Sequence, residues 1–310
     1  NFLEQIPLPD QIDTIKEQFN SLSLAPFLGA VKKVSLKSSV PQRGIVQKEN
    51  VLSFNRDFLL KVKDAVSSSI NTQILYEQSQ SQPSLRVNIT VKKHSRRAKI
   101  AVSDDSCFSL SINDNLMYLQ HFGAELIPFS PLADDALPKG VGGLYITGCF
   151  LSEYLKDLAK NESLYNSIKE FFNKGGVIFS EGSGTAYLCK EIIIDDEREK
   201  GVGILPITVK YQEPQQEEAF FPSYIRARTV EECIVGSEDT ELRGLAGKEW
   251  QSVSEEPVPK VLKVVTFDQP ALLEGYSPGA QTLLSFCFFH FGSNPLAAKK
   301  LTEASSVLTA

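Results

Sequence analysis

Several common functional motifs are missing from this 310-residue sequence. Its three histidines (His94, His121 and His290) have no second histidine or cysteine at metal-ligand spacing, so no metal site is indicated. No G-x-x-x-x-G-K-S/T loop is present, which excludes the usual cradle for a nucleoside triphosphate. No apolar run reaches the length that crosses a bilayer, and we therefore expect no membrane span.

Paired cysteine motifs are also missing. The five cysteines are scattered, and none forms a C-x-x-C pair. An odd count at wide spacing favours free thiols in a reducing compartment over a disulfide framework. The chain begins at Asn1 without a signal-peptide pattern, so we expect a fragment or a processed form whose targeting cannot be read. The cysteines are Cys107, Cys149, Cys189, Cys233 and Cys287.

Positive charge is scarce overall. The formal net charge of −6 argues against bulk binding to nucleic acid or to an anionic membrane. The local exception is a basic cluster near residue 95, which we interpret as the solvated flank of a linker and not as a binding patch. Its residues are Lys92, Lys93, His94, Arg96 and Arg97.

The length and the polarity pattern indicate two domains. Residues 1–75 are interpreted as the remnant or C-terminal part of an α/β domain, with helices over 10–19 and 54–70 and a short strand over 27–31. Residues 76–97 are rich in Gln, Ser and Pro, which is typical of a linker, although alternating apolar residues over 85–91 could add an edge strand.

Residues 98–310 form the second predicted domain. Strands and helices alternate there at a spacing that implies a parallel, doubly wound α/β sheet. Ligands of such sheets bind at the carboxyl ends of the strands. We predict helices over 114–122 (capped near Asn113), 153–160 and 163–173, and strands over 99–103, 125–129, 143–146, 177–180, 204–211, 224–229 and 260–266. An exposed acidic loop is predicted at 195–197, and a final helix after an apolar run at 280–291.

The stretch 175–188 is predicted to carry the site. It reads as a buried strand over 177–180, a tight turn over 181–184 and a helix from about 185. This is the pattern of a nucleophile elbow, in which a sharp turn holds one side chain above the sheet beside amides that can stabilise an oxyanion. A second turn, Thr147-Gly148-Cys149, also follows a predicted strand and is expected at the same edge.

Four stretches in this domain carry a family resemblance. They are KIAVSDDSCF from Lys99, FGAELIPFSP from Phe122, GLYITGCF from Gly143 and SFCFFHFGSNP from Ser285. Together they resemble the class I glutamine amidotransferase-like domain of cobyrinic acid a,c-diamide synthase. This resemblance implies a mostly parallel sheet of flavodoxin-like type. More loosely, residues 28–46 are similar to the end of that family's ATP-dependent synthetase domain. ATP and Mg²⁺ are therefore implied only if a complete synthetase domain precedes residue 1.

The family's catalytic residues do not carry over onto this sequence. The resemblance places the nucleophilic cysteine at Gly182, which has no side chain, and the first histidine of the family's His-x-His pair at Phe288, which cannot accept a proton. The residual candidates are Ser183 as nucleophile and His290 as base. Gly148, Cys149 and Ser183 would form the oxyanion turn. The family's Arg-Gly-His-Glu-Phe-type motif is reduced to Arg243-Gly244 followed by Leu245.

Three hypotheses follow from this pattern. The first is a catalytically degenerate member of the family that serves a structural or partner-binding role, as part of a homo-oligomer or with another protein. The second, implied by the resemblance, is an active ATP-dependent amide ligase or amidotransferase of the cobalamin (corrinoid) pathway that uses ammonia or a relocated nucleophile. The third is a protein that binds a corrinoid or another tetrapyrrole. Glutamine and corrinoid are possible ligands, and nucleic acid is not expected.

The relocated nucleophile has simpler explanations. Ser183 would also serve as the N-cap of the helix predicted from Thr185, which is a frequent role of serine. Cys149, Cys189 and Cys287 would also serve as small buried side chains. A serine nucleophile needs a base, and His290 is the one local candidate in the sequence.

Overall fold

We describe the fold from a computed structural model of the chain. It describes residues 9–22, 27–31, 56–81, 98–108, 111–148, 151–212, 224–247, 249–255, 257–266 and 270–306. The chain divides into two compact units, residues 1–89 and 90–310, with a boundary inside the segment predicted as a linker. The predicted edge strand at 85–91 and the basic cluster near residue 95 lie outside the described residues. No described helix is long and apolar enough to span a membrane.

The described part of the first unit is helical. The predicted helices are present, and the strand predicted over 27–31 is reduced to one antiparallel bridge between Gly29 and Ile70. An additional helix crosses the predicted start of the linker at residue 76, and the amide of Ile74 donates to the Asn71 side chain at its first turn (3.1 Å). None of the unit's described side chains is buried. The helices are α1 (Pro9–Ser21), α2 (Arg56–Ser69) and α3 (Thr72–Ser81).

The described residues of the second unit form a ten-stranded sheet and a four-stranded sheet. Its helices are α4 (Asn113–His121), α5 (Leu151–Lys160), α6 (Glu162–Asn173), α7 (Ser183–Leu188) and α8 (Pro295–Ser306). Its strands are β1 (Ala98–Ser103), β2 (Ala124–Phe129), β3 (Gly143–Ile146), β4 (Val177–Glu181), β5 (Cys189–Ile194), β6 (Glu197–Lys200), β7 (Leu205–Tyr211), β8 (Tyr224–Thr229), β9 (Glu241–Leu245), β10 (Trp250–Glu255), β11 (Lys260–Thr266), β12 (Leu272–Tyr276), β13 (Thr282–Ser285) and β14 (Phe288–His290).

One half of the large sheet is parallel and the other half is antiparallel. The parallel half has the order β2-β1-β3-β4-β13, which is the flavodoxin-like order 2-1-3-4-5, and it confirms the predicted doubly wound sheet. The antiparallel half continues the sheet as β12-β11-β8-β9-β14. The predicted apolar run at 280–291 therefore supplies an interior strand, β13, and an edge strand, β14.

The parallel half is packed on both faces because neighbouring residues of each strand point to opposite sides. On β3, Tyr145 contributes to one core and Leu144 and Ile146 to the other. The core that contains Tyr145 includes residues of α4 and α8, and the other core includes residues of α5, α6 and the four-stranded sheet. Strands buried on both faces read as continuous apolar runs, which explains why the sequence indicated them.

One local prediction is wrong and another is confirmed in part. Helix α4 begins at Asn113, and its N-cap residue is Ile112, which makes no side-chain cap hydrogen bond. The predicted exposed acidic loop is confirmed at Asp195 (φ 51°) and Asp196 (φ 63°), which form the two-residue turn of a β-hairpin, and only Glu197 differs because it is the first residue of β6. Positive φ at both central residues is the mark of a tight hairpin turn, and aspartate tolerates it.

Candidate functional site

The elbow turn lies at the carboxyl end of β4. Gly182 follows the strand with φ 56° and ψ −133°, and its carbonyl accepts a hydrogen bond from the amide of Thr185 (3.0 Å). Helix α7 begins at Ser183, two residues before the predicted start. A positive φ strains any residue with a side chain, and elbow nucleophiles sit in such a turn. The backbone shape of an elbow is therefore present at Gly182.

The ring of Phe288 fills the space beside Gly182. A Cβ atom built on Gly182 would lie 2.1 Å from Cζ of Phe288 and 2.7 Å from its Cε2 atom. These separations are far below van der Waals contact, so a side chain at position 182 and this position of the ring exclude each other. The two positions that the resemblance assigned to the nucleophile and its histidine are thus in contact, and neither carries a reactive group.

Buried hydrogen bonds fix the strand that carries Phe288. Glu181, the last residue of β4, accepts from the amide of Phe289 through Oε1 (2.6 Å) and from the Tyr145 hydroxyl through Oε2. Asn115 on α4 donates to the carbonyl of Phe289 (2.7 Å) and accepts from the amide of Phe291 (2.7 Å). Because both backbone groups of Phe289 are bonded to buried side chains, β14 is fastened to the end of β4.

The remnant of the family's arginine motif has a structural use. Strand β9 pairs with β14, and Gly244 lies opposite Phe289. A Cβ atom on Gly244 would lie 1.8 Å from the carbonyl oxygen of Phe288, so only glycine permits this approach of the two strands.

Ser183 and His290 have separate partners. The Ser183 hydroxyl accepts a hydrogen bond from the indole N–H of Trp250 (3.2 Å), and Gly182 occupies the N-cap position, so the predicted N-cap role of Ser183 is wrong. On His290, Nδ1 accepts from the amide of Gly292 (3.0 Å), which leaves the proton of the neutral ring on Nε2 to be donated to Asp114 (3.2 Å). Neither ring nitrogen is directed to Ser183 by these bonds.

The second turn lies against the elbow. A Cβ atom on Gly184 would lie 2.3 Å from the carbonyl oxygen of Thr147, so the end of β3 meets the first turn of α7. Thr147 is tied to β1, since its amide donates to the Ser103 hydroxyl (2.9 Å). Gly148 is buried beside it, and Cys149 lies outside the described residues. The structure thus places the carbonyl of Thr147 against the elbow, and the oxyanion role of Gly148, Cys149 and Ser183 stays a prediction.

The described cysteines near the site are poor nucleophiles. Burial raises the pKa of the Cys287 thiol, and burial also raises the pKa of Cys189, whose thiol donates to the carbonyl of Thr185 (3.3 Å). A thiol with a raised pKa holds its proton at neutral pH and does not provide the reactive thiolate. Both residues therefore behave as buried apolar side chains.

Two buried carboxyl groups were missed as important residues. Burial raises the pKa of Glu181 to about 7 and that of Glu274 to about 7. Glu274 on β12 accepts from the Ser285 hydroxyl (2.7 Å) and from the amide of Phe286 (2.8 Å). The available signal was a single acidic residue in each of two otherwise apolar strands. Together these carboxyl groups hold the beginning and the end of the segment 285–289.

The described residues contain no group of three or more His, Cys, Asp or Glu side chains that could hold a metal ion. What the elbow offers is a glycine, an aromatic ring and the buried network beneath them.

Comparison with known proteins adds the family context. Residues 99–236 match the CobB/CobQ-like glutamine amidotransferase domain. A cobyrinate a,c-diamide synthase from Dehalococcoides mccartyi (strain ATCC BAA-2266 / KCTC 15142 / 195) is 32% identical over 215 residues, which are 67% of this chain and 44% of that protein. Another, from Leptospira interrogans (strain Fiocruz L1-130), is 28% identical over 306 residues, which are 96% of this chain and 64% of that protein.

The chain therefore spans less than half the length of the first relative and less than two thirds of the second. A crystal structure of a glutamine amidotransferase aligns with a TM-score of 0.47 at 17% identity, over 66% of this chain and 98% of that one.

Proposed function

This chain belongs to the cobyrinate a,c-diamide synthase-like family through its CobB/CobQ-like glutamine amidotransferase domain, and from that premise we propose that the domain is catalytically silent. Its role in this proposal is structural: it keeps the amidotransferase fold and binds a protein partner. The observation that carries the proposal is the contact between Gly182 and the ring of Phe288, which occupies the place of a nucleophile side chain.

The chemistry of the family supports this proposal. Amide hydrolysis through a covalent intermediate needs a nucleophile and a base within hydrogen-bonding distance of each other. Gly182 has no nucleophile to offer, and the phenyl ring of Phe288 accepts no proton. Buried hydrogen bonds from the backbone of Phe289 to Glu181 and Asn115 hold the strand that carries Phe288 against the elbow.

A relocated nucleophile has less support. Ser183 is hydrogen-bonded to Trp250, and His290 is hydrogen-bonded to Asp114 and Gly292. The candidate nucleophile and the candidate base thus have different hydrogen-bond partners. The described residues offer no observation that favours corrinoid binding or ammonia-dependent amide synthesis over the proposed role.

The test is a glutamine hydrolysis assay that measures ammonia release. We expect the unmodified chain to release no ammonia above the blank. We expect the same for Gly182→Cys, because the phenyl ring of Phe288 overlaps the new side chain. The double variant Gly182→Cys/Phe288→His supplies both missing groups and removes the phenyl ring.

Hydrolysis by the unmodified chain would contradict a silent domain. Loss of this hydrolysis in Ser183→Ala would then identify Ser183 as a relocated nucleophile. Unchanged hydrolysis in that variant would mean that the nucleophile is another residue of the chain. Thermal unfolding of each variant is the control that separates lost folding from lost activity.

A further inference from the structure

One face of the antiparallel half of the sheet is exposed along β8. Along β8, Ile225, Ala227 and Thr229 are buried, while the alternate residues Tyr224, Arg226 and Arg228 are exposed. This alternation is typical of an antiparallel sheet that packs on a core with one side and meets solvent with the other. The exposed side is therefore a continuous sheet surface that belongs to the described part of the second unit.

Like charges face each other across this surface. Arg226 lies directly opposite Arg243 of β9, and Arg228 lies directly opposite Lys263 of β11. Like charges in opposite positions of neighbouring strands destabilise a sheet. We call the surface formed by Tyr224 and these four cations the cationic face. The sequence keeps two such repulsive pairs on adjacent strands of a protein whose net charge is −6.

The internal acidic side chains compensate only part of this charge. Arg228 pairs with Asp239 (2.9 Å) and Glu241 (3.1 Å), and Arg243 pairs with the same Glu241 (3.2 Å). Among the described residues, no ion pair engages Arg226 or Lys263. These two side chains, with Arg228 and Val265, line an open groove of about 290 Å³.

Apolar groups lie beside the cations on the same side of the sheet. Tyr224 is 80% exposed and pairs with Leu245, which pairs in turn with Phe288 of the elbow site. Leu273, opposite Lys263, is 56% exposed. Exposed tyrosine and arginine side chains are enriched at the centres of protein–protein interfaces. The cationic face thus adjoins the ring that closes the elbow.

We propose that the cationic face docks an acidic segment of a protein partner. This inference deepens the proposed partner-binding role and rests on it. The uncompensated charges of Arg226 and Lys263 supply the complementarity, and Tyr224 and Leu273 supply apolar area. A symmetric second copy is excluded as the occupant because it would place the cationic face against itself. The groove is open, which suits a polypeptide better than a small ligand that needs an enclosed pocket.

The test uses a fluorescein-labelled peptide of eight glutamates and the full chain, with fluorescence anisotropy as the readout. We expect binding in low salt that weakens steeply as salt is raised, since exposed charges are screened. We expect Arg226→Glu/Lys263→Glu to weaken binding at least tenfold. The matched control is Lys99→Glu/Lys139→Glu, which changes the net charge equally at exposed positions near β1 and should bind like the parent.

Equal binding by the parent and by Arg226→Glu/Lys263→Glu would overturn the proposal, as would the absence of binding by the parent. Binding of inorganic tripolyphosphate with no binding of the glutamate peptide would also overturn it, in favour of a phosphate ligand. If the double variant does not fold, Lys263→Glu alone serves, because it places opposite charges at the pair with Arg228. Peptide binding tests only the docking proposal, and glutamine hydrolysis tests only the proposed catalytic silence. The two proposals can therefore fail independently.

Discussion

The two halves of the large sheet differ in how they are covered. In the parallel half, every residue of β3, β4 and β13 is buried, and side chains pack on both faces. In the antiparallel half, β8 alternates between buried and exposed residues. Parallel strands are connected by helices that cover both faces, whereas antiparallel strands leave one face free. The covered half can hold a site only at its strand ends, and the uncovered half can present a whole surface to a partner.

The antiparallel half also decides what the site of the parallel half can do. Phe288 belongs to β14, yet its ring lies against Gly182 at the end of β4. The same sheet side carries the cationic face. A partner that binds there would contact the strand that closes the elbow, so the proposed catalytic silence and the proposed docking involve neighbouring residues.

The substitution with the largest expected effect tests how tightly the parallel half is packed. Gly184→Ala should lower the free energy of unfolding by about 3 kcal/mol, because the new Cβ would lie 2.3 Å from the carbonyl oxygen of Thr147. Urea unfolding measures the change. The matched control is Gly140→Ala, where no atom lies within 4 Å and only the positive φ of 72° opposes the side chain. Equal losses in both variants would mean that crowding at the elbow is not the cause.

The next prediction concerns the contact that joins the two halves. Gly182→Ala should destabilise by about 2 kcal/mol, and the same substitution in a Phe288→Ala background should cost about 1 kcal/mol less, because the overlapping ring is gone and only backbone strain remains. A double-mutant cycle by urea unfolding gives the coupling. If the stability losses of the two single variants simply add in the double variant, the Phe288 ring moves aside freely.

The buried carboxyl groups predict a pH dependence. The pKa of Glu181 and that of Glu274 are each raised by burial to about 7, from an ordinary value of 4.5. Between these values the folded state binds protons that the unfolded chain has released. The contribution of these groups to stability is therefore largest below pH 4.5 and falls as the pH rises to about 7.

Urea unfolding at pH 5 and pH 8 measures this dependence. We expect Glu181→Gln and Glu274→Gln each to remove about 1–2 kcal/mol of the difference between the two pH values, because a neutral amide has no proton to lose. Glu303→Gln, on the exposed side of α8, is the control and should leave the difference unchanged. An unaltered pH profile in both buried variants would contradict the assignment.

The smallest expected effect lies on the cationic face. Lys263→Glu should stabilise the fold by about 0.2–1 kcal/mol, because it converts the like-charge pair with Arg228 into an opposite-charge pair. Lys139→Glu is the control, because it makes the same charge change at an exposed position outside the strands. Thermal unfolding in low salt measures the difference, and a loss of stability in Lys263→Glu would argue that the two cations do not repel each other.

Prediction from the sequence succeeded where the local pattern was strong. Strands β3 and β4 are largely apolar runs that directly follow glycine, and the elbow strand and its turn were predicted at 177–184. Only the turn of the β5–β6 hairpin was predicted, as a loop over 195–197. The strands β5, β6, β9, β10 and β12 were missed because short strands carry little periodicity. The pairing of β9 and β10 depends on distant strands, which a local window does not contain.

The sequence by itself determined which reactive groups are absent: Gly182 has no nucleophile, and Phe288 has no proton acceptor. It also determined the parallel strands, since burial on both faces demands apolar runs. Only the tertiary structure decided that the Phe288 ring fills the place beside Gly182, that Ser183 is bonded to Trp250, and that Glu181 is buried. These are contacts between residues remote in the chain, and they depend on strand register and packing, which no local pattern specifies.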